Sequence, residues 1–268
     1  MFNQNQWISI LQKNLFRFLL ILIVLVVGCK NDSTTVQPTL STFTDKSFGG
    51  SKVTNEKVIV VRNAIGLVNI QGAASTDTLT WYLFKSVQAE TEVKGDEKFS
   101  YLKLSTQSVG DTLFIDVYST VHESNLNCGV TLTVPSRLIC KIEKAVGNVN
   151  VNDLDSLLII ENAPIVAVAR HTGSCQISGG EGNDSLELIL PENGYCRVSV
   201  NAGNILLKIP TDASATVYVK SLNGTVTQKG LSIAVDEQTS GFLSGKLGSG
   251  NGEIRLETKQ GNIQIENL

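Results

Sequence analysis

The sequence predicts an all-β protein, a β-solenoid of short strands with one short helix in its N-terminal part. Three observations carry this. From Val53 onward apolar and polar residues alternate with the period of two that puts one strand face in a core and the other in solvent. A unit of glycine, one residue, then aliphatic-polar-aliphatic recurs along the chain. Its spacing is close to constant: Gly173 to Gly194 and Gly203 to Gly224 are each 21 residues. A step of two or three short strands suggests coils that stack and bury a shared apolar side. Gly147 to Gly173 is 26 residues and holds Pro164, so an antiparallel β-sandwich stands as the alternative.

The elements follow in order. Residues 1–28 contain no Asp or Glu, Lys13 and Arg17 form a basic region, and Phe18 to Val27 is an unbroken apolar run. That run is about half of what a bilayer-spanning helix needs, which points to a secretory signal peptide. Leu25-Val26-Val27-Gly28-Cys29 resembles the bacterial lipobox. The resemblance implies cleavage before Cys29 and transfer of a diacylglycerol to its thiol. Stable anchoring takes more than one acyl chain. Lys30 follows, not the aspartate that marks inner-membrane retention in some bacteria, so placement at the outer membrane or cell surface is expected. Residues 29–52 are rich in Ser, Thr, Asp and Lys and lack periodic apolar content, and read as a flexible tether. Residues 53–268 then form the β domain.

Lys13 and Arg17 are the basic residues ahead of Cys29, so 20 of the 22 remain against 25 acidic ones, a net charge of −5. With no block of like charge, nucleic acid is not an expected partner. Gly, Asn, Val, Ile and Leu are plentiful and aromatics few, as short strands and tight turns require. Strand candidates lie at Leu79 to Phe84 and Leu113 to Val117, and Ser86 to Ser100, which breaks the alternation, is the helix candidate, weakened by Gly95.

Cys128, Cys140, Cys175 and Cys196 are even in number, as disulfides require, but each is in phase with aliphatic neighbours. Four buried thiols are the favoured reading and disulfides the alternative. Gly179-Gly180-Glu181-Gly182-Asn183-Asp184 fits one copy of a calcium nonapeptide, which makes Asp184 a weak metal candidate. One turn supplies half a cage, so a plain glycine corner is favoured, and no cofactor is expected. Gly248 to Gly252 lacks the Lys-Ser or Lys-Thr of a phosphate loop. His122 and His171 are expected in exposed turns, with no acid positioned behind either.

Gly66-Leu67-Val68-Asn69-Ile70-Gln71-Gly72, Leu132-Thr133-Val134-Pro135, Gly203-Asn204-Ile205-Leu206-Leu207-Lys208-Ile209-Pro210 and Gly250-Asn251-Gly252-Glu253-Ile254-Arg255-Leu256-Glu257-Thr258 carry a family resemblance. Residues from about 54 to 268 resemble the auto-transporter adhesin head-domain family, whose members are often exported or lipid-anchored. The resemblance implies a right-handed β-solenoid with an adhesive or surface-scaffolding role and brings no catalytic residues. The expected function is a membrane-anchored, non-catalytic module whose partners are membrane lipid through Cys29 and a surface glycan or envelope protein. The alternative is a carbohydrate-active β-helix enzyme of the polysaccharide-lyase type. It would need clustered acids and a base on one sheet face, where the sequence places Asn, Ser, Thr and isolated charges such as Lys208, Arg255 and Glu257.

Overall fold

A computed structural model describes residues 39–53 and 55–268. The expected signal segment, Cys29 and residues 30–38 of the expected tether lie outside the described residues.

The N-terminal part runs β1 (Ser41–Lys52), β2 (Val58–Arg62), β3 (Val68–Ala73), β4 (Thr78–Ala89), α1 (Glu92–Phe99), β5 (Leu102–Val109), β6 (Thr112–Ser119) and β7 (Leu126–Pro135). A regular middle follows: β8 (Ile139–Ile142), β9 (Val149–Asn152), β10 (Leu158–Glu161), β11 (Val166–His171), β12 (Cys175–Ser178), β13 (Asp184–Leu188), β14 (Tyr195–Val200) and β15 (Ile205–Ile209). The end comprises β16 (Ala215–Ser221), β17 (Val226–Lys229), β18 (Ile233–Gln238), β19 (Phe242–Leu247), β20 (Gly252–Thr258) and β21 (Ile263–Asn267).

These strands make two large mixed sheets over one apolar core, a sandwich-like all-β arrangement in which neither sheet closes into a barrel. Sheet I has the order β1-β4-β7-β3-β9-β11-β13-β15-β21-β17, and sheet II the order β18-β19-β16-β20-β14-β12-β10-β8-β2-β6-β5. Through the middle the chain alternates between the sheets, and each strand pairs in parallel with the strand two places on, as β8 with β10 and β9 with β11. One strand from each sheet therefore makes a tier. Antiparallel pairs sit at the sheet ends: β1 with β4, β4 with β7, β5 with β6, and β19 with both β16 and β18. Hairpins need only a short turn, whereas parallel neighbours need a crossover through the opposite sheet.

Tier order departs from chain order at both ends. The β20–β21 tier lies between β14–β15 and β16–β17, and β2–β3 lies between β6–β7 and β8–β9. Ile254, Leu256, Ile263 and Ile265 are fully buried on the inner face, but as an interior tier rather than the cap their C-terminal position suggests.

Corner asparagines stitch the tiers. Asn183 Oδ1 accepts from Asn204 N–H at 2.9 Å, Asn204 Oδ1 from Asn262 N–H at 2.7 Å, and Asn262 Oδ1 from Thr225 N–H at 2.9 Å. A short carboxamide beside a backbone that has left the ladder satisfies amides that would otherwise lack partners. At the same corner Gly203 has φ +121°, and a Cβ there would collide with the Gly182 carbonyl of the tier below.

The tether expectation fails over its second half. Residues 41–52 form an edge strand paired with β4 from Ser41↔Ala89 to Lys52↔Thr78. An edge strand draws its order from its neighbour's backbone groups and needs little apolar content of its own, so periodicity did not reveal it. Its Phe43 ring packs against Gly95 of α1, where a Cβ would stand 3.1 Å from the ring. The glycine that weakens the helix in the sequence thus permits its docking. Thr91 caps α1 by accepting from Lys94 N–H, and Phe99 is buried beneath it.

Candidate functional site

The alternation that builds the core also fixes what the outer face of sheet I displays. Register partners form one row across seven adjacent strands: Phe48, Tyr82, Thr131, Asn69, Asn150, Ala167 and Ser185. A second row runs beside it through Thr80, Thr133, Gln71, Asn152 and Ala169. None of these outward positions carries a charge. Asn150 Nδ2 donates to Asn69 Oδ1 at 2.8 Å and Asn69 Nδ2 to Thr131 Oγ1 at 3.3 Å. The chain of amides polarises in one direction, which leaves the Asn150 carbonyl and the Thr131 hydroxyl hydrogen available.

Ala167 and Ala169 are the small members of their rows, and the sheet surface dips over them. The shallow concavity, of about 440 Å³, is lined by Asn69, Gln71, Asn150, Asn152, Ser185 and Glu187. Another of about 440 Å³ adjoins it at Ser185, beside Asn204, Leu206 and Gln264. At the other end of the row stand aromatics: Phe48 is 83% exposed, Phe84 38%, and Tyr82 half-buried with Lys46 Nζ 6.0 Å from its ring centre.

The rim of the first concavity carries two ion pairs, Arg170 with Asp153 and Lys208 with Glu266. Arg170, at a bulge in β11 with φ +50°, grips Asp153 through two bonds of 2.6 Å, and Gln71 Nε2 donates to the same carboxylate at 2.6 Å. Arg170, then Gln71, hold the Asp153 carboxyl down at about 2. Glu187, Lys208, Glu266 and Lys229 alternate in sign across four adjacent strands, with Lys208 3.3 Å from Glu266.

Sheet II presents a different face, a mosaic of paired charges. Arg62 clamps Asp116 at 2.6 and 3.0 Å over the Phe114 ring. Arg197 pairs with Glu253 and Arg255 with Glu257, each guanidinium lying over a tyrosine, Tyr195 and Tyr218 respectively. Arg197 and Arg255 are direct register partners, and these carboxylates and rings offset the repulsion between them.

Of the residues singled out in the sequence, Asp184 is buried. It is 4% exposed, and its Oδ1 accepts from Val166 N–H at 2.9 Å, standing in for a ladder carbonyl. Burial pushes its carboxyl up to about 6. Among the described residues no cluster of three His, Cys, Asp or Glu side chains forms a metal cage. His171 is not in an exposed turn but fully buried at the end of β11, with Nδ1 3.0 Å from the Leu154 carbonyl and Nε2 3.1 Å from the Ser174 carbonyl. The bulge after Val168 inverts the side-chain alternation and turns this ring inward. Burial lowers its pKa, although both carbonyls favour the charged ring. His122 is exposed beyond the end of β6. Cys128, Cys140, Cys175 and Cys196 are free and buried. Desolvation raises Cys128, Cys140 and Cys196 to about 12 and Cys175 well above its ordinary value, which makes them inert. Gly248 to Gly252 joins β19 to β20.

The amide row and the aromatic end were missed from the sequence, although Asn69 and Asn150 occupy the same polar slot of two repeats. That coincidence is the signal that could have found them.

No family model matches the chain, and no curated protein matches it. Solved structures similar to it include one from Clostridium sporogenes described as a "putative cell adhesion protein", 9% identical, covering 84% of this chain and 100% of that one, TM-score 0.49. A "putative adhesin" from Bacteroides fragilis is 14% identical over 86% and 99%, TM-score 0.34. Another from Parabacteroides distasonis is 11% identical over 84% and 97%, TM-score 0.29. Backbone likenesses of this size carry no argument about activity.

Proposed function

We propose that this chain is an exported, lipid-anchored and non-catalytic adhesive module, whose two sheets are the faces of a right-handed β-solenoid. The single observation that carries the adhesive reading is the outer face of sheet I, where an uncharged, amide-rich surface is laid out in register from Phe48 to Ser185. A face of this kind offers many weak polar contacts and one apolar end, which suits binding over an extended area. The solenoid reading is supported by the alternation of the chain between sheets and the parallel pairing of successive tiers. The non-catalytic reading is supported by the state of the acids. Asp153 is held ionised by Arg170, while Asp184, the carboxyl pushed upward, faces the core. General acid–base cleavage of a glycan needs a raised acid beside its partner at the substrate.

The anchor rests on Gly28-Cys29 at the end of the apolar run. Cys29→Ser should move the full-length chain from the detergent phase to the aqueous phase and leave the precursor mass unprocessed. Unchanged partition together with unchanged mass refutes the anchor. Incubation of the full chain with immobilised mucin and plant polysaccharides should give retention without release of reducing or unsaturated sugar ends. Cleavage refutes the non-catalytic reading, and no retention on any surface refutes the adhesive one.

A further inference from the structure

We infer that the outer face of sheet I between β4 and β13 is a binding cleft for a neutral oligosaccharide, which crosses the strands from Tyr82 to Ser185. The inference rests on the adhesive reading above and names its ligand class.

Charge is the first argument. The outward positions of β4, β7, β3, β9 and β11 named above are threonine, tyrosine, phenylalanine, asparagine, glutamine and alanine. From Thr131 to Ser185 a uronate or sulfated sugar would meet no unpaired cation, since Arg170 is committed to Asp153 and Lys208 to Glu266, and Lys46, which has no carboxylate partner among the described residues, stands on β1 beside the Tyr82 ring at the far end. A neutral sugar loses nothing by this.

Hydrogen-bond chemistry is the second. A carboxamide offers donors and an acceptor side by side, and vicinal hydroxyls on a pyranose present the same pairing. The Asn69–Asn150 chain leaves one acceptor and one donor open at its two ends. The Asn152 side chain, half-exposed at the cleft, makes no hydrogen bond to the described residues.

Shape is the third. Adjacent strands are ~4.8 Å apart, and pyranose rings joined 1→4 through equatorial bonds advance by a similar distance per sugar. A chain laid across the strands thus places about one ring per strand. Ala167 and Ala169 open the floor where the cleft deepens, and Tyr82 and Phe84 stand where a terminal sugar can lay its C–H face on an aromatic ring.

The test uses the full-length chain in detergent micelles and calorimetry with cellohexaose, mannohexaose, laminarihexaose and hexagalacturonate. At least one neutral hexaose should bind and hexagalacturonate should not. Tyr82→Ala and Asn150→Ala should each weaken the neutral ligand at least tenfold, and Ala167→Trp, which fills the cleft from its floor, should abolish binding. All three side chains point outward, and thermal melts equal to that of the parent establish that the variants fold. Arg197→Ala on sheet II should change nothing. Binding of hexagalacturonate alone, or of no hexaose, overturns the inference. So does binding indifferent to the three sheet I variants. If Arg197→Ala abolishes retention on the immobilised surfaces while the sheet I variants do not, the adhesive reading stands and this cleft is wrong. Absence of retention on every surface overturns both.

Discussion

Replacing Asp184 by Asn should make the protein more stable at neutral pH. The carboxyl is 4% exposed, bonded to Val166 N–H, and titrates near 6 when folded against an ordinary 3.8. Between those values the folded state holds a proton that the unfolded state has released, so the contribution of Asp184 to stability falls as pH rises through this window. Above about pH 6 the full penalty is present. A displacement of about two units corresponds to at most about 3 kcal/mol. Asn keeps an acceptor for Val166 N–H and never ionises, so it removes the penalty and preserves the bond. Urea unfolding of both proteins, followed by circular dichroism from pH 4 to 7.5, reads this directly. The stability of Asp184→Asn minus that of the parent should climb with pH by up to about 3 kcal/mol and then level off, at equal denaturant slopes. A difference flat with pH refutes the reasoning. A difference that falls with pH shows a carboxylate stabilised in its ionised form, and would restore the calcium reading of the glycine corner.

Ile254→Ala deletes a fully buried side chain from an interior tier, a change that commonly costs about 2–5 kcal/mol. Hydrogen exchange should show the loss in β14, β16 and β20 more than in β2 and β3, while Arg255→Ala, on the exposed face, does little. Uniform loosening of the whole domain would show one cooperative unit. The four downstream cysteines should label slowly in the native protein and give four reactive thiols in denaturant without reductant, in protein carrying Cys29→Ser. A count of two or none would overturn the free-thiol state.

Much of the inner face was legible in the residues. Leu132 and Val134, Val149 and Val151, and Ile263 and Ile265 alternate with polar neighbours, and all are buried. Cys140, Cys175 and Cys196 follow the same phase and share its ladder with Leu158. Period-two patterning is a local consequence of strand geometry and needs no knowledge of the partner strand. The helix at Glu92–Phe99 was legible for the converse reason, that its residues break the period.

The fold alone decided which strand lies beside which. A tier of Ile, Leu and Val offers nearly the same apolar surface to any other, so nothing local says that β20–β21 inserts below β16–β17. The order is fixed by closing the core at the ends, where the β18–β19 hairpin covers one edge and β1, β4 and β5 cover the other. The same holds for residues whose role depends on a neighbour. Ser41–Lys52 is ordered by the backbone of β4, Asp184 by an amide of β11, and His171 by two carbonyls brought to it by a bulge. The amide face of sheet I is a matter of register too. In the regular strands of the repeats the sequence by itself determined which side chains point outward, since alternation is local. Only the tertiary structure set Tyr82, Thr131, Asn69 and Asn150 in one row, because residues as far apart in the chain as Asn69 and Asn150 become neighbours through hydrogen bonds between strands.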